Sequence, residues 1–314
     1  MRVGMSLPLR SADGRPLDAA GVAVRATMIE EAGFDGIWLP DTLVPESQPR
    51  PDPLSVLLAA GIATRRVELG TSVLIVPLRN AAELAQRLMT LHQLVGGRFT
   101  FGVGAGSTRS AFDAAGVDFA SRFRDLHGKM DIIMRLLNGE RAGDALLSPW
   151  PESPAGPRFM LGAWHSDISL RRAVRDYDGW ICSGARTSLR VFGDALKRYR
   201  DLGGTRAVVA NCPVDLTAPS RRLDEDENFN LRCGPEEASE RLARLAALGF
   251  DDVNLVIADP LGKAKRYEAD FTAEQLSAVR ALVPASHVGP PPALSPLTRH
   301  RTADGHRVTT PTIG

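Results

Sequence analysis

Residues 67–107 read VELGTSVLIVPLRNAAELAQRLMTLHQLVGGRFTFGVGAGS. An apolar run, Val67 to Val76, precedes an amphipathic stretch with Leu84, Leu88, Leu91 and Val95 at helical spacing on one face. Gly96 and Gly97 follow, where a helix C-cap favours positive φ. A second apolar run, Phe99 to Val103, ends in Gly104-Ala105-Gly106-Ser107. The order is strand, crossover helix, parallel strand and glycine-rich turn. That turn lies at the carboxyl end of the strand, where ligands bind in α/β folds.

The same unit repeats along the chain. Arg2 to Leu7 is a short apolar strand, and a helix from about Leu17 to Ala32 follows with Val22, Ala26 and Ile29 on one face. Gly33-Phe34-Asp35-Gly36 closes that helix and Ile37-Trp38-Leu39 is the next strand. The joint recurs as Gly249-Phe250-Asp251-Asp252 before Val253 to Ile257, and in altered form as Tyr177-Asp178-Gly179-Trp180. In the first two joints glycine ends the helix and an apolar residue docks the turn. Asp52-Pro53 reads as an N-cap followed by proline at the first helical position. Strand starts fall near Arg2, Gly36, Val67, Phe99, Arg158, Gly179, Ala207 and Asp252, eight in all. Strands alternating with helices imply a parallel sheet, and eight favour a closed (β/α)8 barrel over an open doubly wound sheet.

Two regions break the rhythm. Leu137 to Pro157 is rich in proline and glycine and is expected as an irregular excursion over the carboxyl-end face, inserted after the fourth strand-helix unit. Pro284 to Gly314 has no periodicity and reads as a tail. The expected organisation is one barrel domain over residues 1–283, with the insertion at about 138–157, and a proline-rich tail over 284–314.

The chain has 314 residues and a net charge of +1, enough for one barrel and without the basic excess of a nucleic-acid or anionic-membrane binder. No apolar stretch approaches the roughly 20 residues of a membrane span. Cys182, Cys212 and Cys233 lack metal-ligand spacing, and their odd number argues against a disulfide framework. The expectation is a cytoplasmic protein with no structural metal, no nucleic-acid partner and no membrane.

Three segments, Glu31-Ala-Gly-Phe-Asp-Gly-Ile-Trp-Leu-Pro-Asp41, Leu69-Gly-Thr-Ser-Val-Leu-Ile-Val-Pro-Leu-Arg79 and Gly96-Gly-Arg-Phe-Thr-Phe-Gly-Val-Gly-Ala-Gly106, resemble the bacterial luciferase-like oxidoreductase superfamily in content, order and spacing. Weaker matches at Phe159–Gly162, Asp178–Trp180 and Pro235–Gly249 extend the likeness to about residue 260. The resemblance implies a TIM barrel that binds reduced FMN or the deazaflavin coenzyme F420 at the carboxyl ends of its strands, with a small-molecule substrate over the ring. It implies a cis peptide at Ser72–Val73 that pushes a bulge under the ring. Asp41, Thr42, Gly104, Gly106 and Ser107 are carried over as further contacts. Gly162, Ala163, Trp164, Ser183 and Gly184 are carried over as the phosphate end. Ser166-Asp167 is either a plain cap or an anion-binding helix start. A homodimer is implied, as is a flavin or F420 reductase that supplies reduced cofactor. The helix Leu54–Ile62, apolar all round, needs covering on more than one side.

The chain also departs from the family. Asp-His after the second strand is here Asp41-Thr42, and threonine does not titrate near neutral pH. His-Pro after the third strand is Asn80-Ala81, and Gly-Gly-Ser after the fifth is Gly162-Ala163-Trp164. Of six histidines, His92 and His127 read as structural helix residues, while His165 sits on a carboxyl-end loop. His165 and Thr42 are therefore the candidates for proton handling. Arg79 reads more naturally as an ion-pair partner than as an anion ligand. Three functions remain: F420-dependent hydride transfer, FMN-dependent monooxygenation with the 137–157 insertion as a lid, and a non-catalytic flavin-binding or scaffold role.

Overall fold

The computed structural model describes residues 1–8, 10–11, 15–43, 50–148, 156–258 and 270–283. The expected tail, 284–314, lies outside the described residues. The described chain has nine strands and nine α-helices, which alternate except that α4 and α5, and β7 and β8, are consecutive. The strands are β1 (Arg2–Ser6), β2 (Gly36–Leu39), β3 (Glu68–Ile75), β4 (Phe99–Gly104), β5 (Arg158–Gly162), β6 (Gly179–Ser183), β7 (Arg206–Asp215), β8 (Leu231–Arg232) and β9 (Asp252–Ile257). The helices are α1 (Ala19–Glu31), α2 (Pro53–Ala63), α3 (Ala81–Leu94), α4 (Arg109–Ala115), α5 (Arg122–Leu137), α6 (Asp167–Asp176), α7 (Leu189–Asp201), α8 (Pro235–Leu248) and α9 (Ala273–Ala281).

All strand pairings are parallel. The order β1-β2-β3-β4-β5-β6-β7-β9 returns to β1, which closes an eight-stranded barrel. The two-residue β8, absent from the sequence expectation, hangs on the far end of β7 through Val214 and Asp215. Its shortness leaves no periodicity to detect.

The repeated joints have a common purpose. Asp35, Asp178 and Asp251 accept the amides of Val3, Phe159 and Ala207 at 2.8, 2.9 and 2.7 Å, and each donates its own N–H to the carbonyl of the same residue. Each aspartate thus staples the start of its strand to the neighbouring strand. Gly33 and Gly249 adopt φ of +86° and +102°, which ends α1 and α8. The third joint differs: Gly179 is already in β6, where a β-carbon would lie 2.5 Å from Met160 Cε.

Inside the barrel the layers are distinct. At the amino ends Arg206 forms a two-pronged bond to Glu68 (2.8 and 2.8 Å) and another to Asp252 (2.9 and 2.9 Å). Arg2 reaches Glu68 at 2.8 Å, and Thr100 donates to the same carboxylate. Above this ionic layer the Trp38 indole lies across Gly4, Gly36 and Gly70, with Met160, Ile181, Val208 and Ala210 around it. A β-carbon at Gly70 would come within 2.4 Å of that ring. The carboxyl ends above Trp38 are left open for a site.

The insertion departs from expectation. It follows α5, which returns antiparallel to β4, so it starts and ends at the amino ends of the strands. Arg158, its first strand residue, stands 3.8 Å from Glu68 of the ionic layer. The described part, 138–148 and 156–157, contains a small turn bridged by Ala142 and Ala145 and contributes no residue to the carboxyl-end cavity described below. No described residue of the insertion acts as a lid over that cavity. From the segment between β4 and α5, Ala105, Gly106, Ser107, Thr108 and Ala111 do line that cavity. The apolar α2 packs between α1 and α3, with Leu54, Leu57 and Ala60 buried and Ile62 63% exposed.

Candidate active site

A cavity of about 1200 Å³ opens at the carboxyl ends of the strands. Its floor comes from β3. The Ser72–Val73 peptide is cis, as the resemblance implies. Between Thr71 and Leu74 the register with β4 slips, so that Ser72 and Val73 stand opposite Gly102 alone. The bulge turns Val73 inward over Gly104 and Gly162: β-carbons there would meet its methyls at 2.4 and 2.5 Å. Thr71 is buried and donates to the Gly102 carbonyl at 2.7 Å.

The β2 wall carries Asp41 and Thr42, both on the cavity. Arg79 binds both Asp41 oxygens at 2.9 and 3.1 Å, and the Ile75 N–H donates to Asp41 at 2.9 Å. Burial raises the Asp41 carboxyl above its ordinary value, and the Arg79 charge and Ile75 amide pull back against that rise. Asp41 thereby ties the residue after β2 to the end of β3. Arg79 is the ion-pair partner that its position suggests. Asn80, standing where the family has histidine, caps α3 by accepting from the Ala82 and Glu83 amides.

The opposite wall follows β5 and β6. Gly162, Ala163, Trp164, His165 and Ser166 line the cavity with Ser183. Trp180 donates its indole N–H to the Ala163 carbonyl at 2.9 Å and so fixes this turn. Ser166 caps α6 by accepting from the Ser169 amide at 3.3 Å. Trp164 is 54% exposed at the rim, and the exposed His165 lends its carbonyl to Arg198 at 2.9 Å. Gly106 and Ser107 lie on the wall after β4. Gly104 and Gly184 do not: Val73 covers the first, and the second is packed against Cys212.

Several wall residues escape the sequence reading. Arg122 and Arg124 from the start of α5, Arg172 from α6 and Arg186 after β6 face the cavity, whereas Asp41 is the one carboxylate among its described lining residues. The Arg122 guanidinium lies over the rings of Phe119 (4.0 Å) and Phe123 (4.4 Å). His127, read as a structural helix residue, also reaches the wall, with Nδ1 3.3 Å from the Tyr177 hydroxyl. Burial and the Arg172 charge hold its imidazole down to about 4, so it is neutral at pH 7. Asn211, from β7, completes the floor. These residues lie on elements distant in sequence, and no local spacing marks them. Burial pushes the Cys182 thiol on the wall far above its usual range, which leaves it unsuited as a nucleophile. Among the described residues no cluster of His, Cys, Asp and Glu is arranged to hold a metal ion.

The sequence model of the luciferase-like monooxygenase family matches residues 1–213. The chain is 29% identical to the F420-dependent glucose-6-phosphate dehydrogenase of Intrasporangium calvum, over 85% of this chain and 96% of that one. The enzyme of the same name from Amycolatopsis mediterranei is 30% identical, over 58% of this chain and 57% of its own length. The 4-hydroxyprotoasukamycin monooxygenase of Streptomyces nodosus subsp. asukaensis is 34% identical, over 47% of this chain and 43% of its own. The chain thus spans about half the length of these last two. Among solved structures, an F420-dependent secondary alcohol dehydrogenase in complex with an F420-acetone adduct superposes with a TM-score of 0.68 over 90% of this chain and 98% of that one. At 15% identity that likeness concerns the fold.

Proposed function

Since the chain belongs to the luciferase-like monooxygenase family, we propose that it is an oxidoreductase that binds coenzyme F420 at the carboxyl-end face of its barrel and passes hydride to a small organic substrate. The observation that carries this reading is the convergence of Asp41, Thr42, Ser72, Val73, Gly106 and Gly162, named by the family likeness, on one cavity floored by an inward bulge. The donor set fits such a group. Val73 offers a flat apolar support over two glycines, and the arginine-rich wall suits the anionic phosphate end. When bound, the reduced coenzyme supplies the hydride. The chain supplies the rest. Val73 would support the ring, the backbone amides of the Ala163–Ser166 turn with Ser183 would hold the phosphate end, and the cavity walls would limit water around the substrate.

Hydride transfer to a carbonyl-like carbon leaves an oxygen that needs a proton. His165, or a water held by the Thr42 hydroxyl, gives it. Replacing His165 with alanine should lower turnover at least about tenfold with cofactor affinity nearly intact, since general acids contribute roughly 10²–10⁴-fold. Unchanged turnover would exclude His165, and a large loss of affinity would assign it to the phosphate end.

The 34% identity with a monooxygenase favours a second reading, FMN-dependent oxygen insertion from O₂. Separate anaerobic titrations with reduced F420 and reduced FMN decide between the two. Tight binding of F420 alone is expected. Binding of FMN alone would select the monooxygenase, and binding of neither would leave a non-catalytic role. The reading also includes a homodimer, a reductase that regenerates the cofactor, and a cytoplasmic setting in keeping with three free, buried thiols. A monomer in light scattering at micromolar concentration would count against the dimer.

A further inference from the structure

Two strand irregularities face one another across the mouth of the barrel. On β3, Ser72 and Val73 bulge inward. On β7 the register with β9 slips between Val209 and Cys212, so that Ala210 and Asn211 stand opposite Asn254 alone. Asn211 has φ of +57° and is the sole non-glycine residue at positive φ among those described. Its side-chain amide crosses the mouth and donates from Nδ2 to the Ser72 carbonyl at 3.2 Å, a contact between residues 139 apart in sequence. Both residues line the cavity, and Ala210 and Val73 belong to one apolar cluster beneath it.

Left-handed backbone is easiest for glycine and is tolerated by asparagine. What asparagine adds at this position is its amide. We propose that Asn211 is a positioning residue: its bond to the Ser72 carbonyl holds the β3 bulge inward, so that Val73 stays seated over Gly104 and Gly162 and the floor stands ready before a ligand arrives. Bulges beside sites characteristically re-aim side chains. Here a second bulge supplies the strut. Preformed geometry spares a ligand the cost of ordering the floor, so loss of the strut should appear mainly as weaker binding. Only the identity of the ligand, coenzyme F420, rests on the function proposed above.

The test uses two full-length variants. Asn211→Gly removes the amide while its backbone takes up positive φ without steric strain, so the protein stays folded, as a thermal melt checks. Asn211→Asp keeps shape and left-handed tolerance while setting a carboxylate against a carbonyl oxygen. In both, amide hydrogen exchange in peptides covering residues 70–76 should quicken about 5- to 10-fold, the worth of one lost hydrogen bond. The Kd for coenzyme F420, followed by fluorescence with FMN titrated in parallel, should rise by a similar factor. Unchanged exchange in Asn211→Gly overturns the strut. Quickened exchange with unchanged affinity for a cofactor that the native protein binds overturns the positioning role. If exchange quickens and the native protein binds neither cofactor, the strut stands and the function proposed above falls.

Discussion

His127 shows how a single wall residue is set by its surroundings. It lies half-buried between α5 and α6, with its imidazole held down to about 4 by burial and by Arg172, against an ordinary value of 6.5. In the unfolded chain it would take up its proton near 6.5. The unfolded state therefore binds more protons between about pH 6.5 and 4, and stability falls as pH drops through that window. Urea midpoints taken at pH 7.5 and 5.0 should differ less in His127→Gln than in the native protein. An equal difference in both would mean that the imidazole is not held neutral. The residue is legible in sequence as a helix position and no more, because its neighbours Arg172 and Tyr177 come from beyond β5. Asp41 is the reverse case. Its place on the wall follows from the family likeness, yet its carboxylate is already bound by Arg79 and the Ile75 amide.

At the scale of elements, glycines decide how closely strands and side chains approach. Gly162, ending β5, sits beneath Val73, and an added β-carbon would lie 2.5 Å from a Val73 methyl and 3.1 Å from the Val103 carbonyl oxygen. Gly162→Ala should lift Val73 into the cavity and weaken cofactor binding at least about tenfold, at a stability cost of roughly 1–3 kcal/mol. Gly128, inside α5, is the control. A β-carbon there meets nothing within 4 Å, so Gly128→Ala should stabilise the protein by about 0.5–1 kcal/mol through helix propensity. Thermal melts read both. The joints were legible as a pattern, Gly-Phe-Asp, while the purpose of the aspartate was not, because Val3, Phe159 and Ala207 precede their partner aspartates by an entire strand-helix unit. The insertion after α5 misled for a related reason. Composition marks a segment as irregular, but its face follows from the direction of the helix before it.

At the scale of the molecule, the barrel is closed at the amino ends of its strands by an ionic layer and opens at their carboxyl ends into the cavity. The closing layer sets Arg2, Arg158 and Arg206 against Glu68 and Asp252. Burial alone would raise the Glu68 carboxyl; Arg206 and Arg2 more than offset this and hold it well below its usual range. Its stabilising effect is complete above about pH 4.5 and is lost as the pH falls below that. Glu68→Gln should cost about 3–5 kcal/mol at neutral pH, because it leaves the buried guanidinium groups of Arg2 and Arg206 with Asp252 alone as counter-charge. A loss below about 1 kcal/mol in urea unfolding would show that the layer reorganises instead.

The sequence by itself determined the eight barrel strands and most of the helices between them, and it marked the carboxyl ends of the strands as the candidate site. These rest on local signals: hydrophobic period, capping residues such as Asp52, and glycine at helix ends, each acting within a few residues. Through its likeness to a family it also pointed to Ser72–Val73 as the bulge. The tertiary structure alone decided that Val73 lies over Gly104 and Gly162, that Asn211 reaches Ser72, that arginines from α5, α6 and the turn after β6 line one cavity, and that the described part of the insertion stays off that cavity. Each of these joins residues that meet only once the sheet has closed, and no spacing along the chain encodes such a meeting.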